Sequence, residues 1–251
     1  MAASDPKAAE RAYYARLGPE GLAHVRRKPF GDERTGQYLA DMGALLAMLE
    51  PPPRSVLDLG CGVGWTSRLL ARAGYAVTGM DLAPESIQLG RELAAQEGLT
   101  DLQLLVGDYE TAGPAGGFDY VLFYDALHHA ADEAAALKTA WTALRSGGAM
   151  FAFEPGSGHN RSRLSRRAVE EFGVRERDMP PQRIWRLGRK VGFRRRLILP
   201  LPHDINRSLY RRDYHASSAA GRGWLEKLWG YYRAAGWMLR PRRGALTILW
   251  K

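Results

Sequence analysis

Asp58-Leu59-Gly60-Cys61-Gly62-Val63-Gly64 follows the apolar run Ser55-Val56-Leu57, and its reading decides the fold. Val56, Leu57 and Leu59 have the near-continuous apolar character of a strand buried on both faces. The glycines then turn the chain into Trp65-Thr66-Ser67-Arg68-Leu69-Leu70-Ala71, which has helical spacing. Without Cβ atoms, such a turn lets a ligand approach the backbone. The helix start behind it offers unpaired N–H groups to an anion. The pattern differs from the Gly-x-Gly-x-x-Gly of dinucleotide sites: Trp65 stands where the third glycine belongs, and Gly64 comes one residue early.

Working outward, strands and helices alternate. Tyr75 to Asp81 reads as a second strand, ending in an acid 21 residues after Gly60. That is the distance of one helix and one strand, and a carboxylate there can accept both hydroxyls of a ribose. Pro84 to Gln96 follows as a helix with proline near its first turn. Leu102 to Tyr109 is a third strand ending in Gly107-Asp108, and Phe118 to Phe123 a fourth, leaving through Tyr124-Asp125-Ala126-Leu127-His128-His129. Asp132 to Leu144 is the next helix, ended by Ser146-Gly147-Gly148, and Ala149 to Glu154 the fifth strand. Helices over 161–172 and 181–191, a sixth strand over 194–201 and a seventh over 244–250 complete the set. Such an order implies an α/β, doubly wound sheet with its ligand at the carboxyl ends of the strands.

The Asp-x-Gly-x-Gly-x-Gly stretch resembles motif I of the class I S-adenosylmethionine-dependent methyltransferases, of the "methyltransferase type 11" kind. The segment Tyr124 to His129 resembles the family's motif IV and the leucine–histidine–histidine opening of its next helix. Leu144-Arg145-Ser146-Gly147-Gly148 resembles its entry into the fifth strand. The resemblance covers residues 50–155 well, and 180–200 and 244–251 by topology. It implies a seven-stranded Rossmann-like sheet and S-adenosylmethionine as cofactor. The residues expected to hold that cofactor are Asp58, Gly60, Cys61, Gly62, Gly64 and Trp65 of the turn, then Asp81, Leu82, Gly107, Asp108, Tyr109, Tyr124 and Asp125. Asp108 is the acid that meets the adenine amino group in that family. A single domain spans 1–251: an N-terminal helical cap over 1–50, a core over 51–202 and 244–251, and a helical insertion or lid over 203–243. The family joins its last two strands by a hairpin-like connection. An insertion of this length is far above ordinary loops and is expected to be functional.

The 251 residues hold 45% apolar and 25% charged side chains, an ordinary water-soluble composition. Cys61 is the one cysteine, so no intrachain disulfide forms, which fits a reducing, cytoplasmic setting. Within the turn it reads as a small filler rather than a nucleophile. The first ten residues lack the apolar stretch of a signal peptide, and no run approaches a membrane span. The net charge of +9 is unevenly placed. Residues 1–125 carry 11 Lys+Arg against 17 Asp+Glu; residues 126–251 carry 25 against 10. A basic half points to an anionic partner (nucleic acid, glycan, anionic acceptor or the inner membrane face) or to a simply arginine-solvated surface. No nucleic-acid-reading module is present, and Asp125-Ala126-Leu127-His128 stands where amino-group methyltransferases carry Asn/Asp-Pro-Pro-aromatic. Specific nucleic acid recognition is therefore not expected.

Methyl transfer from a sulfonium depends on alignment, and a hydroxyl acceptor also needs a base. His128 and His129 leave the fourth strand, Glu154 and His159 the fifth, and these strands are neighbours in the implied topology. His129 is the first choice of base, because imidazole titrates near neutrality, with Glu154 orienting it or binding an acceptor hydroxyl. Packing under the cofactor is the competing reading of His129. A divalent metal on Asp125, His129, Glu154 and His159 is the alternative chemistry. The sequence shows no dense ligand spacing, so no metal is assigned. His203-Asp204 after Pro202 reads as a plain turn. Tyr13, Tyr14, Phe30 and Arg34 are candidates for covering the cofactor. In the insertion, Trp224, Leu225, Leu228, Trp229, Tyr232 and Trp237 fall on one helical face, fitting a lid packed on the sheet, an interfacial helix or a wall for a lipid-linked substrate. The acceptor is expected to be a small-molecule or sugar hydroxyl, with surface-polysaccharide synthesis as the leading setting and a natural product or quinone ring as the alternative.

Overall fold

The structure is a computed structural model describing residues 6–31, 33–209, 228, 232, 235–236 and 244–251. The apolar face expected in the insertion lies outside these residues except for Leu228 and Tyr232, which are both exposed. In chain order the elements are α1 (Pro6–Arg16), α2 (Pro19–Arg27), α3 (Thr35–Met48), β1 (Ser55–Leu59), α4 (Trp65–Arg72), β2 (Ala76–Asp81), α5 (Pro84–Gln96), β3 (Leu102–Val106), β4 (Phe118–Tyr124), α6 (Glu133–Ala143), β5 (Leu144–Glu154), α7 (Arg163–Phe172), α8 (Pro181–Val191), β6 (Arg195–Pro200), α9 (Pro202–Leu209) and β7 (Ala245–Trp250). A 3-10 turn at Leu127–His129 follows β4, and a second lies at His159–Arg161.

The strands form one sheet in the order β3-β2-β1-β4-β5-β7-β6. All neighbours are parallel except β7, which runs antiparallel to both β5 and β6. The order reverses between β1 and β4, and a crevice opens there at the carboxyl ends. Side chains alternate across the sheet. Leu57, Leu59, Val121, Phe123 and Met150 pack on the α6–α8 face, against Leu137, Ala140 and Ile184. Val56, Val77, Leu122, Phe151 and Phe153 pack on the other face, against Tyr38, Met42 and Leu45 of α3 and Trp65 and Leu70 of α4.

Gly18-Pro19 separates α1 from α2, with proline at the first helical position. Two local readings change. Strand β5 begins at Leu144, so Ser146-Gly147-Gly148 lies inside the strand and not after a helix. Pro202-His203-Asp204 opens α9, again with proline at the helix start, in place of the expected turn. No helix among the described residues is long and apolar enough to cross a membrane.

Candidate active site

The glycine turn is built for close approach. Gly60 and Gly62 have φ of +74° and +56°, a region costly for residues with a Cβ. A Cβ on Gly60 would sit 2.6 Å from Ala126 Cβ, and one on Gly62 would collide with the Tyr14 hydroxyl. Asp58 holds the turn from beneath. It is buried and accepts hydrogen bonds from Thr66 Oγ1 and Ser67 Oγ, both at 2.6 Å, which ties β1 to the first turn of α4. Burial pushes the Asp58 carboxyl up to about 6, and the two hydroxyl donors oppose that rise.

Asp81, at the end of β2, accepts from Gly62 N at 2.8 Å on one oxygen and from Ala83 N at 2.9 Å on the other. Each carboxylate oxygen keeps a second lone pair for a ligand. Asp108 follows β3. It accepts from Lys7 Nζ of α1 at 2.6 Å and from Glu110 N at 2.9 Å. Helix α1 therefore lies across the ends of β2 and β3, with Lys7 on one acid and Tyr14 on Gly62.

Beyond β4 the chain enters a cleft of about 660 Å³, within the ~300–1,000 Å³ of small-molecule pockets. Gly60, Gly62, Asp81, Leu82, Asp108, Tyr109, Tyr124 and Asp125 line it, as do His128, His129, Glu154 and His159. Asp58, Cys61, Gly64, Trp65 and Gly107 do not. They support the turn or pack in the core; Trp65, for example, stacks edge-on against Tyr124 at 5.2 Å. Asp125 has φ +53°, the one positive φ on a non-glycine among the described residues, and its side chain projects into the cleft. Burial would raise its carboxyl, but His128, His129 and Lys28 together hold it below the usual range.

Glu154 orients His128, not His129. Its Oε1 accepts from Ala126 N (3.1 Å) and Leu127 N (2.7 Å), and its Oε2 lies 2.8 Å from His128 Nδ1. A carboxylate taking donors on both oxygens fixes the ring by its Nδ1 edge, and Nε2 lies on the opposite edge. Both side chains are almost fully buried, at 1% and 2% exposure, so the ring is rigidly held. His129 stacks on it at 4.1 Å but pairs with Glu10 of α1, Nδ1 to Oε1 at 3.3 Å. Burial acts to lower His129, yet Glu10 outweighs it and the imidazole is pushed up to about 9. It is therefore protonated at neutral pH and unsuited to accept a proton.

Glu176 was not singled out from the sequence. It bonds His159 Nε2 at 2.5 Å and approaches His128 Nε2 to 3.7 Å. Its local sequence, Gly173-Val174-Arg175-Glu176, assigns the acid no role at a site. His128, His129 and Glu176 each offer an atom within 4.8 Å of the others, a set able to hold a metal ion. It differs from the set expected from the sequence, since Glu154 is already engaged by backbone donors and by His128.

Residues 57–152 match the family model described as "Methyltransferase domain". A ubiquinone biosynthesis O-methyltransferase of Xanthomonas axonopodis pv. citri (strain 306) is 37% identical over 106 residues, covering 42% of this chain and 44% of the relative. One from Caulobacter vibrioides (strain ATCC 19089 / CIP 103742 / CB 15) is 39% identical over 104 residues, 39% of each chain. This chain thus matches less than half the length of these curated relatives. Among solved structures, an S-adenosylmethionine-dependent methyltransferase from Mesorhizobium loti superposes with a TM-score of 0.59 at 19% identity, covering 84% of this chain and 97% of the other. Phosphoethanolamine N-methyltransferase 2 of Haemonchus contortus, in complex with S-adenosyl-L-methionine, does so at 0.55 and 17%, covering 90% and 58%. The structural likenesses establish the fold as that of the class I methyltransferases, and the matched stretch, a methyltransferase domain, runs from the first strand of the sheet to the fifth.

Proposed function

We propose that this protein is an S-adenosylmethionine-dependent O-methyltransferase acting on a small-molecule hydroxyl. The observation that carries this reading is the buried Glu154–His128 pair at the cleft that the glycine turn enters, with Glu154 on Nδ1 and only Glu176, 3.7 Å away, near Nε2 among the described carboxylates. The cradle fits the cofactor: the two positive-φ glycines leave room that a Cβ would fill, and Asp81 and Asp108 keep lone pairs for ribose hydroxyls and an adenine amino group. When bound, S-adenosylmethionine supplies a sulfonium methyl, and its transfer to a hydroxyl oxygen releases S-adenosylhomocysteine and one proton. His128 Nε2 takes that proton, and Glu154 stabilises the imidazolium as it forms. Asp125, projecting beside His128 with Nδ1 3.9 Å away, orients the acceptor hydroxyl.

A phenolic hydroxyl is favoured over a sugar hydroxyl. The curated relatives are named for ubiquinone biosynthesis, and none of the relatives or neighbours described above supports a polysaccharide role. Tyr38, Tyr124 and Phe153 line the cleft and suit a ring. Calorimetry with S-adenosylhomocysteine, paired with methylation of catechol, tests the reading. Binding should be lost in Gly62→Arg, and catechol turnover should fall about 10²–10⁴-fold in His128→Ala with binding retained. Unchanged S-adenosylhomocysteine affinity in Gly62→Arg would reject the cofactor cleft; unchanged turnover in His128→Ala would reject the base.

A further inference from the structure

Facing the His128–Glu154 pair, the cleft has a second wall that methyl transfer leaves unused. It is one face of α3. Arg34 at the N-cap, Tyr38 and Asp41 recur at spacings of four and three, so they lie one above another. All three line the cleft, together with Lys28 and His203. Lys28 Nζ stands 5.3 Å over the Tyr38 ring. Asp41 is 1% exposed, and a buried carboxylate is costly unless fully paired. Its partners are Tyr124 Oη at 2.9 Å, His203 N at 3.1 Å and His203 Nδ1 at 2.8 Å.

These bonds do for His203 what Glu154 does for His128: they fix the ring from its Nδ1 side and turn Nε2 away from α3. The other acid facing that edge is Asp204, 4.0 Å from Nε2. Burial acts to lower His203, and the bond to Asp41 outweighs it, so this imidazole favours its cationic form. The buried acid lies behind the ring, and the wall brings a lysine, an arginine and a histidine to the cleft. The wall also reaches the transfer end, because Asp41 accepts from the hydroxyl of Tyr124, the residue before Asp125. Between the two walls lies an aromatic floor, with Tyr124 and Phe153 centroids 5.4 Å apart and Tyr38 6.5 Å from Tyr124.

We propose that the α3 wall is an oxyanion subsite: Lys28, Arg34 and His203 bind a carboxylate or phosphate carried on the same molecule as the hydroxyl that is methylated. The substrate class is then a hydroxylated aromatic acid or its phosphate counterpart, with its ring on the floor and its two polar ends on opposite walls. The inference takes the identity of the ligand as acceptor from the methyl-transfer reading, whereas the subsite is tested by binding alone.

The experiment is calorimetry on the full chain saturated with S-adenosylhomocysteine, titrated with catechol and with 3,4-dihydroxybenzoate. The carboxylate should tighten binding at least about ten-fold over catechol, the weight of one charge-assisted contact. Inorganic phosphate should compete with 3,4-dihydroxybenzoate if the site takes either oxyanion, and should fail to if it is specific for carboxylate. Lys28→Met and Arg34→Met should each erase most of the advantage, while Arg195→Met, on an exposed part of β6, should leave it intact. Equal binding of the two phenols, no binding of 3,4-dihydroxybenzoate, or an advantage surviving both cleft substitutions would overturn the proposal. The wild-type comparison needs no variant to fold. Failure of S-adenosylhomocysteine to bind at all would count against the methyl-transfer reading instead.

Discussion

His128 and His129 are neighbours in sequence and opposites in chemistry, because different carboxylates hold them. Glu154 holds His128 by its Nδ1 edge, whereas Glu10 pairs with His129 and keeps it charged. His129 therefore has a folded-state pKa of about 9, above its unfolded value near 6.5. The stability this pairing contributes is fully present below pH ~6.5 and is lost as the pH rises through about 9, with an upper bound of about 3 kcal/mol. The melting-temperature gap between wild type and His129→Gln should thus be widest near pH 6 and close by pH 10. A gap independent of pH would show that Glu10 does not hold the charge. Turnover in His129→Gln should stay within about ten-fold of wild type, against the general-base loss expected for His128→Ala. Chelation separates the base from a metal on His128, His129 and Glu176: activity unaffected by EDTA leaves His128 as the base. From sequence alone, the histidine pair and Glu154 were legible as a cluster, because neighbouring strands deliver them. The pairing was not. It depends on Glu10 arriving from α1 and on which ring edge meets β5, and neither leaves a mark on the local pattern.

At the scale of elements, α1 is the piece whose position bears most on binding. Lys7 spans Asp108 at 2.6 Å and Glu110 at 3.4 Å, Tyr14 lies against Gly62, and Glu10 accepts from Arg175 N at 2.8 Å. These contacts, with the Glu10–His129 pair, pin a helix of eleven residues over the cofactor wing. An ion pair at this exposure contributes ~1 kcal/mol or less, so it can exchange for a ligand contact. If Asp108 is kept for the cofactor, Lys7 competes for it, and Lys7→Met should tighten S-adenosylhomocysteine binding by about two- to five-fold. Weaker binding in that variant would show that Lys7 touches the cofactor itself. Hydrogen exchange adds a second reading: the amides of 6–16 should slow when S-adenosylhomocysteine binds, and unchanged protection would mean that α1 does not close on it. The N-terminal cap was legible as helices, because apolar residues recur at helical spacing over 31–50. The break at Gly18-Pro19 is legible too, but the immediate restart of a helix at Pro19 is not, because proline and glycine mark helix starts as well as breaks. His203 was hidden for the same reason: Pro202 reads as a turn, and only the buried Asp41 on α3 shows that a helix begins there.

Over the whole molecule, strand order turns a sequence asymmetry into a spatial one. Residues 1–125 carry a formal charge of −6 and residues 126–251 carry +15. Among the described residues, the sheet order β3-β2-β1-β4-β5-β7-β6 puts the strands of the first half on one side and those of the second on the other. The β6 edge is basic, and there Arg195 and Arg196 stack on Trp250 and Trp185 at 5.3 and 4.8 Å. The doubly wound order was legible because apolar strand runs and glycine turns alternate with helices; the antiparallel direction of β7 leaves no pattern in its six residues. A basic edge of this kind attracts polyanions without reading them. No described element presents a helix or sheet shaped to a groove, and the arginines at the β6 edge are already stacked on tryptophans. Duplex DNA or total RNA is thus expected to bind weakly, with an affinity that falls steeply between 50 and 200 mM salt and shows no sequence preference. The same preparations should accept no methyl groups at physiological salt, because the cleft that holds His128, at about 660 Å³, is of small-molecule size. Filter binding across a salt series, run beside labelled-methyl incorporation, measures both. Incorporation into RNA or DNA that survives physiological salt would make the basic edge part of an acceptor site and would displace the small-molecule hydroxyl as substrate.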